Sequence, residues 1–275
     1  MEFLPTASDH EALDYRPPER QTVPVVVASP HSGSVYPARF LAQTAVPLAA
    51  LRRAEDAFVD ANREPYELDP GMFEGPLPRP LNHRTTRVAA GLGMIPRVAA
   101  SGEAIYRGRV PSEEIEHRLE TCWRPYHTAL STLVEQTNRQ FGTALLIDAH
   151  SMPSSASGVG PRERDHRVDI VLGDNHGESC APDLVDEAER WFADHGLKVQ
   201  RNQPYAGGFT TQRYGRPGLN RHALQIEINR SLYMDEGRHQ KLANAAVIER
   251  IMTGFLEQIA SQALAVLLPR PLAAE

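Results

Sequence analysis

Residues 144–155 read ALLIDAHSMPSS: four apolar residues, then Asp148 and His150 two positions apart, then a small polar run. A short continuous apolar run reads as a buried strand, and the strand period places Asp148 and His150 on one face of it. Purely structural turns after strands usually use Gly, Asn or Pro. This strand delivers a carboxylate and an imidazole instead, so it predicts a site at a strand end.

Three other segments read as strands. They are Val23–Ala28 within TVPVVVASPHSG, VDIVLG from Val168, and ALQIEIN from Ala223. Between the first two, Pro111 and Ser112 open a helix whose apolar side is Ile115, Leu119, Trp123, Tyr126, Leu130 and Val134, with a kink expected at Pro125. A second helix runs from Pro182 through Leu184, Ala188, Trp191 and Phe192 to a stop at Gly196, and a third spans Arg238–Leu264. Strands alternating with helices predict an α/β fold: one domain over residues 1–275, with a central mixed, mostly parallel sheet flanked by helices. Its core covers about residues 23–260, with peripheral arms at both ends. Asn62–Asn82 and Asn202–Gly218 read as loops, and long ordered loops are often functional.

The composition narrows the function. With 275 residues, 41% hydrophobic, a net charge of −6 and a pI near 6.0, the chain lacks the basic surface that nucleic acid requires, so small molecules are the expected partners. Its positive charge is nearly all arginine, with lysine only at 198 and 241. The only cysteines, Cys122 and Cys180, support neither a disulfide scaffold nor a cysteine metal site. The amino-terminal residues lack a secretory pattern, and the apolar run Ala263–Leu268 is far shorter than the roughly 20 residues that span a bilayer. The expectation is a soluble cytoplasmic protein with no membrane partner. Nothing in the sequence sets an oligomeric state.

In α/β sheets, ligands collect at the carboxyl ends of strands. His31 follows the first strand there, Asp148 and His150 end the second, and Glu227 and Asn229 lie at the end of ALQIEIN. A lone histidine after a strand is more often a surface residue, but two histidines and a carboxylate on separate elements suit zinc with one position left for water. A further carboxylate can then act as base. RRAEDAFVD offers Glu55 or Asp56 as the third ligand, and Asp148 suits a hydrogen bond to a ligating imidazole. No Gly-x-Ser-x-Gly elbow, phosphate loop or dinucleotide fingerprint occurs.

Taken together, SPHSG (29–33), EDAFVD (55–60), WRPYH (123–127), DAHSMPS (148–154), GGFTTQRYG (207–215) and HALQIEINRSLYMDE (222–236) resemble the N-formylglutamate amidohydrolase family. The resemblance implies an α/β fold like that of zinc carboxypeptidases and cell-wall amidases. It implies a zinc-dependent amidohydrolase, one zinc per chain, releasing formate and L-glutamate from N-formyl-L-glutamate in histidine breakdown. His31, Asp56 and His150 fall on the metal-binding positions, which favours Asp56 over Glu55. Glu227 falls on the catalytic base, and Arg63 and Arg230 on arginines suited to substrate carboxylates, with Asp148 behind the metal ligands. Two departures stand out. The family carries a further segment between the FVD and NREPYELDP motifs, which Asp60, Ala61 and Asn62 here join directly. Gln212 and Arg213 stand where relatives often have Arg then His, so Arg213 is assigned to the substrate's side chain. The rival readings are a hydrolase of another N-acyl amino acid or short cell-wall peptide, and a non-catalytic member without its metal site.

Overall fold

The computed structural model describes residues 14, 18, 20–34, 36–59, 95–99, 102–157 and 167–267. Arg63 and the Asn62–Asn82 segment lie outside them, as does the junction at Asp60 to Asn62. The chain groups into two compact units, one formed by Met1–Arg16 and Pro30–Leu130, the other by Pro17–Ser29 and Ser131–Glu275.

The second unit is built on a five-stranded sheet: β1 Val25–Ala28, β2 Ala144–Met152, β3 Ile170–Gly173, β4 Val199–Arg201 and β5 Arg221–Asn229, in the order β1-β2-β5-β3-β4. β1, β2 and β5 run parallel, β3 runs antiparallel to β5, and β4 is parallel to β3. The sheet is therefore mixed and mostly parallel, as the sequence predicts. Every residue of β2 is buried, as are Ile170–Gly173 and all of β5 after Arg221. Strands covered on both faces need apolar residues in nearly every position, which is why ALLI and IVL read as runs without alternation. β1 differs from expectation. It lies at the edge of the sheet, starts at Val25, and leaves Val27 52% exposed.

Helices flank this sheet. Pro182–Asp194 packs Phe192 against Phe255 of Ala245–Leu267, with ring centroids 4.9 Å apart, and Trp191 Nε1 donates to the Ile251 carbonyl at 3.2 Å. The last helix begins at Ala245, not Arg238. Asp235 Oδ1 accepts from the Gly237 and Arg238 amides, which turns the chain between two short paired strands, Met234–Asp235 and Gln240–Lys241. The segment 202–218 is likewise more ordered than a loop and contains the helix Phe209–Tyr214 and a 3-10 turn, Pro217–Leu219.

The expected kink at Pro125 takes the form of a π-helical turn, Leu119–Trp123, between the helices Ser112–Arg118 and Arg124–Phe141. Pro125 has no N–H to offer the carbonyl four residues back, and its ring would press on that carbonyl. The turn instead widens so that the Arg124 amide reaches Leu119 O.

In the first unit a separate core gathers Phe40, Val46, Ala50, Leu51, Ala99 and Ile105. Beside it Glu114 and Arg118, 3% and 4% exposed, form an ion pair at 2.6 Å, and Arg39 also bonds Glu114. The Arg118 guanidinium lies over the Phe40 and Tyr106 rings and donates to Tyr106 Oη. Both cysteines are free and buried. Among the described residues, no helix is long and apolar enough to cross a membrane.

Candidate metal centre

His31 follows β1 by three residues. Its carbonyl accepts the Asp56 amide at 2.9 Å, and its Nδ1 stands 3.3 Å from Asp56 Oδ2. Asp56 reaches this place through the short helical turns Leu48–Leu51 and Arg52–Ala54, and is 3% exposed. Its neighbour Glu55 is held elsewhere: Tyr36 Oη donates to it at 2.8 Å, and Arg52 Nε approaches both its oxygens at 3.2 and 3.4 Å. The backbone then enters the left-handed region at Phe58, φ 66°, a conformation bulky residues rarely take.

β2 runs on past Asp148 to Met152, so His150 sits within the strand rather than after it. Asp148 Oδ2 is 3.0 Å from His150 Nε2, and both residues are buried. An imidazole that donates at Nε2 carries its lone pair on Nδ1, so Asp148 sets the tautomer as well as the ring's orientation. Asp148 Oδ1 is buried and makes no hydrogen bond.

His31 and Asp56 in the first unit and His150 in the second each offer one potential ligand atom. Two ligand atoms on a tetrahedral zinc, with bonds of about 2.0–2.1 Å, are separated by about 3.3 Å, comparable to the His31–Asp56 spacing. The donor set, two nitrogens and one carboxylate oxygen, fits a divalent ion that keeps a position for water.

The parallel register aligns Asp148 with Gln225 and His150 with Glu227, so these four side chains share one face of neighbouring strands. Glu227 is 6% exposed, and Gln225 Nε2 donates to its Oε1. A wet edge-strand face is therefore excluded for Glu227: β5 lies in the sheet interior, between β2 and β3.

The arginines differ in setting. Arg230 is buried at the start of the turn after β5. Its Nε and Nη2 donate to Ser151 Oγ and O at 3.0 and 3.3 Å, which ties the turn after β5 back to β2. Asn229 forms this turn by accepting from the Ser231 amide while its own Nδ2 donates to Val168 O. Arg213 is exposed on its short helix and lies against the Phe209 and Tyr214 rings at 5.8 and 5.7 Å. That helix depends on Gly207, at φ 112°, where a Cβ would fall 2.4 Å from Thr211 Oγ1.

Sequence reasoning did not single out Ser151, or Gln225 as the partner of Glu227. The signal for Gln225 was the strand period, which puts residues two apart side by side, whereas Ser151 alternates to the other face of β2 and carries no such signal. His222 belongs to the opposite face of β5. Its Nδ1 accepts the Ala181 amide at 3.2 Å ahead of the helix Pro182–Asp194, and burial pushes its pKa down to about 4.

The profile described as N-formylglutamate amidohydrolase matches residues 57–234. Asp56 lies just ahead of that span and His31 well before it, and His150, Glu227 and Arg230 lie within it. The chain is similar to an N-formylglutamate deformylase of Pseudomonas putida, 36% identical over 164 residues. That match covers 58% of this chain and 60% of the relative, less than two thirds of its length. An N-formylglutamate deformylase of Pseudomonas aeruginosa is 32% identical over 244 residues, covering 82% of this chain and 86% of that one. Among solved structures, an N-formylglutamate amidohydrolase from Ralstonia eutropha JMP134 superposes with a TM-score of 0.76 at 34% identity, covering 90% of this chain and 96% of that one. A protein of Agrobacterium tumefaciens, at 19% identity and a TM-score of 0.56, shares the fold alone.

Proposed function

The chain belongs to the N-formylglutamate amidohydrolase family, and on that footing we propose that it hydrolyses N-formyl-L-glutamate to formate and L-glutamate. His31, Asp56 and His150 are the residues that would hold one zinc ion. The observation that carries this reading is the pairing of His31 with Asp56 in one unit and of His150 with Glu227, in register, in the other. Zinc held there would supply a Lewis acid for the formyl oxygen and would lower the pKa of water toward neutrality.

The chain's own residues carry the rest. Glu227 accepts a proton from the attacking water as its oxygen joins the formyl carbon. It returns that proton to the amide nitrogen as the carbon–nitrogen bond breaks, which leaves formate and the free amine. Asp148 holds His150 in the tautomer and orientation that ligation needs. Arg230, anchored on Ser151, together with Arg213 and Arg63 provides cations for the substrate's two carboxylates, and guanidinium suits carboxylates because it bonds them in pairs. We assign the reaction to the cytoplasm, where the free thiols Cys122 and Cys180 persist.

The test is release of the free amine from N-formyl-L-glutamate, N-formyl-L-aspartate, N-acetyl-L-glutamate and a short cell-wall peptide, with formate measured for the two formyl compounds. The highest kcat/KM belongs to N-formyl-L-glutamate on this reading. Turnover of another acyl compound with no formate from N-formyl-L-glutamate would keep the hydrolase and overturn the substrate.

A further inference from the structure

We propose that Gln225 is the positioning residue for Glu227, holding the carboxylate of the general base in its place; this rests on the role given to Glu227 above. The two residues are neighbours on one face of β5, 5% and 6% exposed, and Gln225 Nε2 donates to Glu227 Oε1. An ionised carboxylate only accepts hydrogen bonds, so the amide must turn its NH2 toward Glu227, which fixes the amide's orientation as well.

The surroundings leave Gln225 little freedom. Asp148 of β2 lies in register on one side and Gly173 of β3 on the other. Gly173 admits the backbone of the following loop so closely that a Cβ on it would lie 2.6 Å from Gly207 N. Gly208 then comes over the Gln225 amide, its absent Cβ 3.8 Å from Gln225 Oε1. The neighbouring strand repeats the device, since Asp148 bonds His150 from two residues before it. A glutamate side chain has three rotatable torsions and loses much freedom when ordered, so a base in a fixed place needs a partner on one oxygen.

The variant Gln225→Met keeps the length and burial of the side chain and removes the donor, and Gln225→Asn keeps the amide but shortens its reach. In both, kcat for formate release falls by about 10- to 100-fold, the scale of a misplaced catalytic group, while KM and bound zinc stay within about two-fold. Crystal structures of parent and variant show the Glu227 carboxylate leaving its place. An unchanged kcat, an unmoved Glu227, or a loss of zinc and thermal stability in step with kcat would overturn the proposal. If the parent itself releases no formate, that result counts against the function above, and the position of Glu227 in the two crystal structures still decides the role of Gln225.

Discussion

Asp148 Oδ2 stands 3.0 Å from His150 Nε2, from a position two residues earlier on the same buried strand. Removing the charge while keeping the shape, as in Asp148→Asn, weakens that bond and lets the ring choose its other tautomer. Partners of this kind typically contribute about 10- to 100-fold to metal affinity. Competition against a chromophoric chelator is expected to show a loss of that size with the fold intact, and undiminished affinity would remove Asp148 from the metal centre's support.

Glu227 is expected to matter for turnover and not for metal. Glu227→Gln keeps the side chain's size and its place beside Gln225 but cannot take a proton. Formate release is expected to fall by about 10²- to 10⁴-fold, the usual contribution of a general base, with zinc content unchanged. A Gln variant as active as the parent would mean that the base lies elsewhere.

The first unit's stability rests in part on Glu114 and Arg118. Burial presses the Glu114 carboxyl upward, but Arg118 and then Arg39 prevail and hold its pKa below the ordinary carboxylate range. An acid depressed in this way contributes stability above its unfolded pKa, and that contribution is lost as pH falls through the folded value. Arg118→Met leaves the buried carboxylate to Arg39, whose side chain is mostly exposed, and is expected to cost about 3 kcal/mol in urea unfolding at pH 7. The double variant Glu114→Leu with Arg118→Met is expected to cost less than the single one. The reverse order would mean that the pair itself, and not the stranded charge, provides the stability.

His222 predicts a second pH dependence with its sign set by burial. Folded, it stays neutral down to about pH 4, whereas unfolded it gains a proton near 6.5. Between those values the unfolded state binds more protons, so stability falls as pH drops through the window, by about 3 kcal/mol in full. In His222→Asn the side-chain oxygen can still accept the Ala181 amide while the titration is gone. Unfolding measured at pH 7 and 5 is expected to show a flatter profile in the variant, and parallel profiles would assign the dependence to other groups.

The parts of this fold that could be read from sequence were those where one residue type meets one demand. β2 and β5 are buried on both faces, so apolar runs mark them plainly, and Asp148, His150 and Glu227 stand out as polar residues in those runs. β4, three half-buried residues at the sheet's edge, carries no such run. The helix Phe209–Tyr214 was hidden by its glycines, which serve backbone approach and a left-handed turn and resemble loop composition. Glu55 and Asp56 differ in contacts distant in sequence, which no local pattern shows: Tyr36 engages the former and His31 faces the latter.

The most direct test is elemental analysis of the chain purified without chelator or metal-affinity tag, with formate release from N-formyl-L-glutamate measured on the same sample. The account predicts about one zinc per chain together with formate release. Folded protein that holds no zinc and releases no formate, even after zinc is added back, would contradict it.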